Sequence, residues 1–126
     1  MGVVRVKEGV QFTKIAPGGF RILSSLDVVA EPLSYDLTIT SACDGEHSGP
    51  DDPHHRGEAY DVRTRDLLDK DAVLKALKFE LGDKHFYAFI EAVDTDNEHI
   101  HVQVKKGTVF PSNDAEQVRD AANEAN

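Results

Sequence analysis

Two short segments of the chain contain histidine and acidic residues, the side chains that bind transition metals and transfer protons. The first segment contains His54 and Asp61, and the second contains His99 and His101. Two imidazoles and one carboxylate suit Zn²⁺, which accepts nitrogen and oxygen ligands in a tetrahedron. Three protein ligands leave the fourth position open to water, and the cation lowers the pKa of that water towards about 7. These residues therefore predict hydrolysis of an amide or an ester.

Strand alternation explains how the two histidines of the second segment reach one site. In a strand over Glu98–Lys105, alternate residues share a face, so that His99 and His101 point the same way. The residues next to them, Ile100 and Val102, are apolar and are expected to point into a core. A hydrophobic face opposite two histidines is typical of a half-buried strand beside a functional site.

The residues of the first segment need a turn to come together. The alternation of residues 58–63 predicts a short strand on which Asp61 and Tyr60 lie on opposite faces. A straight strand from His54 to Asp61 would place these two side chains on opposite faces. Gly57 permits a turn, because glycine adopts backbone conformations that other residues avoid. We therefore expect His54 to fold back beside Asp61 from a loop.

The rest of the sequence predicts the elements that must position these residues. In chain order they are a helix over residues 20–30, a strand over 36–40, a loop over 44–57, a strand over 58–63, a helix after Asp69, and a hairpin of strands 86–93 and 98–105. Pro32 is expected to stop the first helix and Gly82 to end the second. Leu74, Leu77 and Leu81 form the core stripe of the second helix. This order predicts an α+β fold, in which helices pack on a small, mainly antiparallel sheet.

Composition limits the partners of the chain. Its 126 residues suffice for one domain, which we place at 1–113, followed by a weakly ordered tail over 114–126. The net charge of −9 disfavours nucleic acid and anionic membranes, because binding to either depends on contacts with phosphate. A single cysteine, Cys43, excludes a zinc site built from cysteines.

No stretch of the sequence has the pattern of a signal peptide or a membrane span. We therefore expect cytoplasmic synthesis of a monomeric protein without a membrane span. Action outside the cell would then require non-Sec export or release on lysis, as for a phage-encoded lytic protein.

The two segments together resemble the D-Ala-D-Ala metallopeptidase and hedgehog superfamily. The run His54-His55-Arg56-Gly57-Glu58-Ala59-Tyr60-Asp61 matches the signature H-x-x-G-x-A-x-D of that superfamily. The run His99-Ile100-His101 resembles its second signature, H-x-H on a late strand. The segment Leu37–Ala42 is similar to the strand that precedes the first signature, so that the resemblance covers residues 20–105.

The resemblance implies a hedgehog-like or DD-peptidase-like fold and a zinc-dependent peptidase. Its substrate would be peptidoglycan stem or cross-bridge peptides that contain D-amino acids, cut by carboxypeptidase or endopeptidase action. His54, Asp61 and His101 would be the zinc ligands. His99 would stabilise the oxyanion or orient the substrate.

The resemblance leaves the general base and the anion-binding residue open. The base in this superfamily is an acid shortly before the last ligand, which here is Glu98 or Asp96, with Glu98 preferred. The superfamily often has an arginine for the substrate carboxylate after the Thr-Ser strand, and this sequence has none there. Arg21, Arg56 or Arg63 could take the place of that arginine. We assign the role to Arg63, because it lies on the same predicted strand face as Asp61.

Two alternative functions stay open at this level. In the hedgehog branch the same site serves signalling, so the chain could be a zinc-stabilised binding or structural module that catalyses nothing. A plain α+β interaction domain without metal would require the His and Asp pattern to be accidental.

Overall fold

The computed structural model describes residues 2–43, 52–108 and 110. In chain order the elements are β1 (Val4–Val6), α1 (Pro17–Leu33), β2 (Leu37–Ser41), β3 (Ala59–Arg63), α2 (Lys70–Leu81), β4 (Phe86–Glu91) and β5 (His99–Val104). The predicted tail over 114–126 and most of the predicted loop over 44–57 lie outside the described residues. The predicted α+β class is confirmed.

The strands form one sheet in the order β1-β2-β3-β5-β4. β1 and β2 run parallel, and the other three pairs run antiparallel, as predicted for most of the sheet. β1 was not predicted, because three residues are too few for alternation to be recognised. Its partner is also distant in the chain, with Arg5 opposite Thr38.

Both helices pack on one face of the sheet. Ile22 and Leu26 of α1 and Leu77 of α2 are fully buried against Val62 and Ile100 of the sheet. The remaining members of the predicted stripe on α2, Leu74 and Leu81, are partly buried against the same core. Neither helix is long and apolar enough to cross a membrane, within the part of the chain that the structure describes.

The two helices differ in how well the sequence predicted their ends. α2 has the predicted limits, because the Asp69 side chain accepts a hydrogen bond from the Ala72 N–H and Gly82 follows its last residue. The prediction that Pro32 stops α1 was wrong, since this helix continues to Leu33. A proline in the last turn removes only one helical hydrogen bond, and Ser34 ends the helix in a left-handed conformation (φ 55°).

Candidate metal centre

Strand register places the polar residues of β3 and β5 on the face of the sheet away from the helices. Asp61 lies directly opposite His101, and Arg63 lies opposite His99. Directly paired residues share a face, and Ile100 between the two histidines is fully buried on the other side. The predicted alternation is therefore confirmed. We call the surface that carries Asp61, His99 and His101 the site face.

His54 reaches the site face from the turn that precedes β3. Its backbone N–H donates to Asp52 Oδ1 at 2.9 Å, and its carbonyl accepts from the Gly57 N–H at 3.1 Å. Gly57 has φ 71° and packs on the Lys14 carbonyl, so that only glycine fits there. The turn brings His54 Nε2 to 3.3 Å from Asp61 Oδ1, which confirms that His54 folds back beside Asp61.

Asp61 is the centre of the cluster. Its Oδ1 lies 2.9 Å from His101 Nδ1 and 3.6 Å from His99 Nε2. His54, Asp61 and His101 are all buried, and each offers a ligand atom within 4.8 Å of the others. The structure thus brings together three residues that could hold a metal ion, as predicted. We call His54, His99 and His101 the imidazole cluster.

Hydrogen bonds on the outer side of two imidazoles orient their inner nitrogens for metal binding. His54 Nδ1 lies 2.9 Å from the Ala42 carbonyl oxygen, which can only accept, so this nitrogen carries the proton. His101 Nε2 lies 2.7 Å from Gln103 Oε1, and the amide nitrogen of Gln103 donates to the Val104 carbonyl. With a metal bound, each inner nitrogen would therefore offer its lone pair to an ion beside Asp61. Metal-binding histidines typically have this arrangement.

The charges around Asp61 also favour a cation. Burial would raise the pKa of Asp61, but hydrogen bonds from His101 and His54 outweigh it and hold the pKa well below its usual range. Burial would lower the pKa of His101, and the Asp61 carboxylate outweighs that effect and raises it above 6.5. A carboxylate that stays ionised and imidazoles that can lose a proton form a donor set for Zn²⁺ or another divalent first-row ion.

Among the described residues, Glu91 is a possible metal ligand that the sequence analysis missed. Its Oε1 lies 3.0 Å from His99 Nε2, and the other nitrogen of His99 donates to the Asn97 carbonyl at 2.6 Å. Glu91, His99 and His101 form a second set of possible metal ligands within 4.8 Å of one another. The available signal was the hairpin, in which Glu91 alternates with the apolar Ile90, but its pairing with His99 depends on the register.

Glu98, the preferred general base, lies in a different cluster. Its carboxylate accepts from Thr64 Oγ1 at 2.5 Å, from Lys70 Nζ at 2.8 Å and from the Asp94 N–H at 2.9 Å. These three contacts, the Asp94 N–H foremost, lower the pKa of Glu98 to about 2. Strand alternation from Ile100 places Glu98 on the side of the sheet that the helices cover. Among the described residues, Glu98 belongs to neither set of possible metal ligands.

Asp96 and Arg63 lie near His99 at the edge of the cluster. Asp96 is exposed in the turn between β4 and β5, and Arg63 Nη1 lies 3.3 Å from Asp66 Oδ2. Arg63, Asp96 and His99 line a small cavity of about 110 Å³, together with Arg65 and Glu98. The substrate-binding role of Arg63 and the alternative role of Asp96 as base stay predictions.

No protein-family model, curated protein or solved structure matches this chain. The fold and the centre define an α+β protein with a buried His and Asp cluster that could bind a metal ion. The resemblance to the peptidase superfamily rests on the motif residues, three of which meet at one point.

Proposed function

We propose that the protein is a zinc-dependent peptidase that hydrolyses an amide bond in peptidoglycan peptides containing D-amino acids. The observation that carries the proposal is the convergence of both motif segments on Asp61, whose Oδ1 lies within 3.3 Å of nitrogens from His54 and His101. His54 and Asp61 precede His101 by 47 and 40 positions in the chain, so local structure does not explain why the three residues meet. We include in the proposal membership of the D-Ala-D-Ala metallopeptidase and hedgehog superfamily.

Three protein ligands and an open position suit catalysis rather than a closed structural site. His54, Asp61 and His101 would hold the ion, which when bound acts as a Lewis acid and makes water acidic. The Ala42 carbonyl and Gln103 would keep the two imidazoles in the tautomers that direct lone pairs inward.

The shape of the site face favours an extended peptide as the substrate. The small cavity beside His99 lies at one end of β5, and a larger one of about 500 Å³, lined by Gln103, lies towards the other end. A peptide along β5 would run from one cavity to the other across the imidazole cluster. Three basic and two acidic side chains line the first cavity, and three basic and one acidic line the second, so carboxylates on the peptide would meet a small excess of positive charge at both ends.

A non-catalytic zinc module is the second candidate, and the contacts of Glu98 favour it. A general base needs a free carboxylate within reach of the attacking water. Glu98 instead forms an ion pair with Lys70 on the other side of the sheet. Without another base, the centre would bind metal and leave peptides intact.

Metal content and digestion of purified peptidoglycan test the proposal in that order. We expect about one zinc per chain by plasma mass spectrometry, loss of the metal in His54→Ala, and retention in His85→Ala, because His85 contributes to neither ligand set. The zinc-loaded protein should then release new amino termini from walls of several chemotypes, detected by mass spectrometry. Zinc binding without any new termini would support the non-catalytic module instead.

A further inference from the structure

Glu91 lies next to the imidazole cluster on the open side of the sheet. It pairs with His99 across β4 and β5, and Phe89, two residues earlier, pairs with His101. The Glu91 side chain is 52% exposed, whereas that of Asp61 is 12% exposed. Glu91 is thus accessible to water and to a peptide on the site face, and it still contacts the cluster.

The contacts of His99 hold its ring between the Asn97 carbonyl and the Glu91 carboxylate. The Asn97 carbonyl can only accept, so His99 Nδ1 carries a proton and donates it. His99 Nε2 lies 3.0 Å from Glu91 Oε1 and 3.6 Å from Asp61 Oδ1. The contact with His99 therefore holds the Glu91 carboxylate at the edge of the imidazole cluster, beside Asp61.

The other acidic candidates lack this geometry. Glu98 is held by Lys70 and Thr64 on the side that the helices cover. Asp61 and Glu91 each have a carboxylate oxygen within 3.6 Å of an imidazole nitrogen of the cluster. Asp61 is committed to the ligand set, which leaves Glu91 to transfer a proton.

We propose that Glu91 is the general base of the reaction, a role that rests on the proposed peptidase function. The Glu91 carboxylate takes a proton from the attacking water as the water oxygen bonds to the scissile carbonyl carbon. The same proton then passes to the leaving nitrogen as the carbon–nitrogen bond breaks. The peptide gains a carboxyl group and a free amine, and Glu91 returns to its ionised form.

Glu91→Gln and Glu98→Gln form a matched pair of variants for the test. Each is measured for release of amino termini from peptidoglycan and for zinc affinity by competition with a chelator. We expect Glu91→Gln to lower the rate by about 100-fold or more, since general base catalysis typically contributes that much. Its zinc affinity should stay within about threefold of wild type, because the substitution spares the three ligands. Glu98→Gln should keep both the rate and the zinc affinity within about threefold.

Three results would overturn the inference, and they are distinguishable. Full activity in Glu91→Gln, with loss of activity in Glu98→Gln or Asp96→Asn, would move the base elsewhere and leave the peptidase function in place. A fall in zinc affinity of about tenfold or more in Glu91→Gln would make Glu91 a ligand. If the zinc-loaded wild type releases no termini at all, the peptidase function fails and the role of Glu91 fails with it.

Discussion

Two carboxylates on opposite sides of one sheet, those of Asp61 and Glu98, have similar electrostatics and different uses. Both have a pKa held below its ordinary range, that of Glu98 at about 2. The partners of Asp61 are imidazoles from a turn and from β5. The partners of Glu98 are an ammonium from Lys70, a hydroxyl from Thr64 and a backbone N–H.

The difference shows that the partner, rather than the carboxylate, decides whether a cluster can bind metal. An imidazole can release its proton and offer a lone pair. The Lys70 ammonium cannot at neutral pH, because the hydrogen bond to Glu98 raises its pKa above 10.5. The cluster around Asp61 can therefore exchange protons for a cation, whereas the cluster around Glu98 is a closed ion pair.

The substitution Asp61→Asn should have the largest effect on metal binding. It removes the negative ligand at the centre while nearly preserving the shape of the side chain. We expect zinc affinity to fall by more than about 100-fold, because loss of a supporting outer residue alone costs about 10- to 100-fold. Plasma mass spectrometry after dialysis measures the metal content. The control is Glu98→Gln, which should keep its zinc. Equal zinc content in the two variants would contradict the conclusion that only the cluster around Asp61 binds metal.

The substitution Gln103→Leu should have the next largest effect. It removes the oxygen that accepts from His101 Nε2 at 2.7 Å and so frees the ring to change tautomer. We expect calorimetric titration with zinc to show an affinity about 10- to 100-fold weaker than wild type. Gln103→Glu restores an acceptor and should recover most of the loss. Identical affinities in both variants would mean that the orientation of His101 does not depend on this contact.

A rise in pH should lower the stability of the metal-free protein and strengthen its binding of zinc. The folded pKa of His101 is raised above 6.5, so its contribution to the stability of the metal-free protein is present below pH 6.5 and is lost as the pH rises through the folded pKa. Zinc must displace that proton, so zinc affinity should rise with pH in the same window, by up to about tenfold per unit for each proton released. Thermal melts with chelator and with zinc measure both trends. Parallel trends would contradict the exchange of a proton for a cation.

The smallest effect is expected for Glu98→Gln, and it should concern stability alone. The folded pKa of about 2 lies below the ordinary 4.5, so the stabilisation is present above pH 4.5 and is lost as the pH falls towards 2. The variant should melt slightly below wild type at neutral pH, and this difference should shrink in acid. Circular dichroism melts at several pH values check this expectation, with the exposed Glu91→Gln as the control. A constant difference across the range would contradict it.

Local chemistry was sufficient to predict α2 and the faces of β3 and β5. The Asp69 cap and Gly82 act within a few residues of the helix ends, and alternation around Ile100 depends only on the strand period. The role of Glu98 in an ion pair could not be predicted in this way, because Lys70 lies 28 residues earlier in the chain. β1 has the same difficulty, since its partner strand is far along the sequence.

The faces of Asp61 and His101 and the turn at Gly57 that returns His54 follow from the sequence, because each depends on backbone geometry over a few residues. The choice of Glu91 as the neighbour of His99, and of Lys70 as the partner of Glu98, depends on the register of β4 on β5 and on where α2 packs. Register and packing are set by burial of the whole core, so that only the tertiary structure decides which carboxylate stands beside the imidazoles.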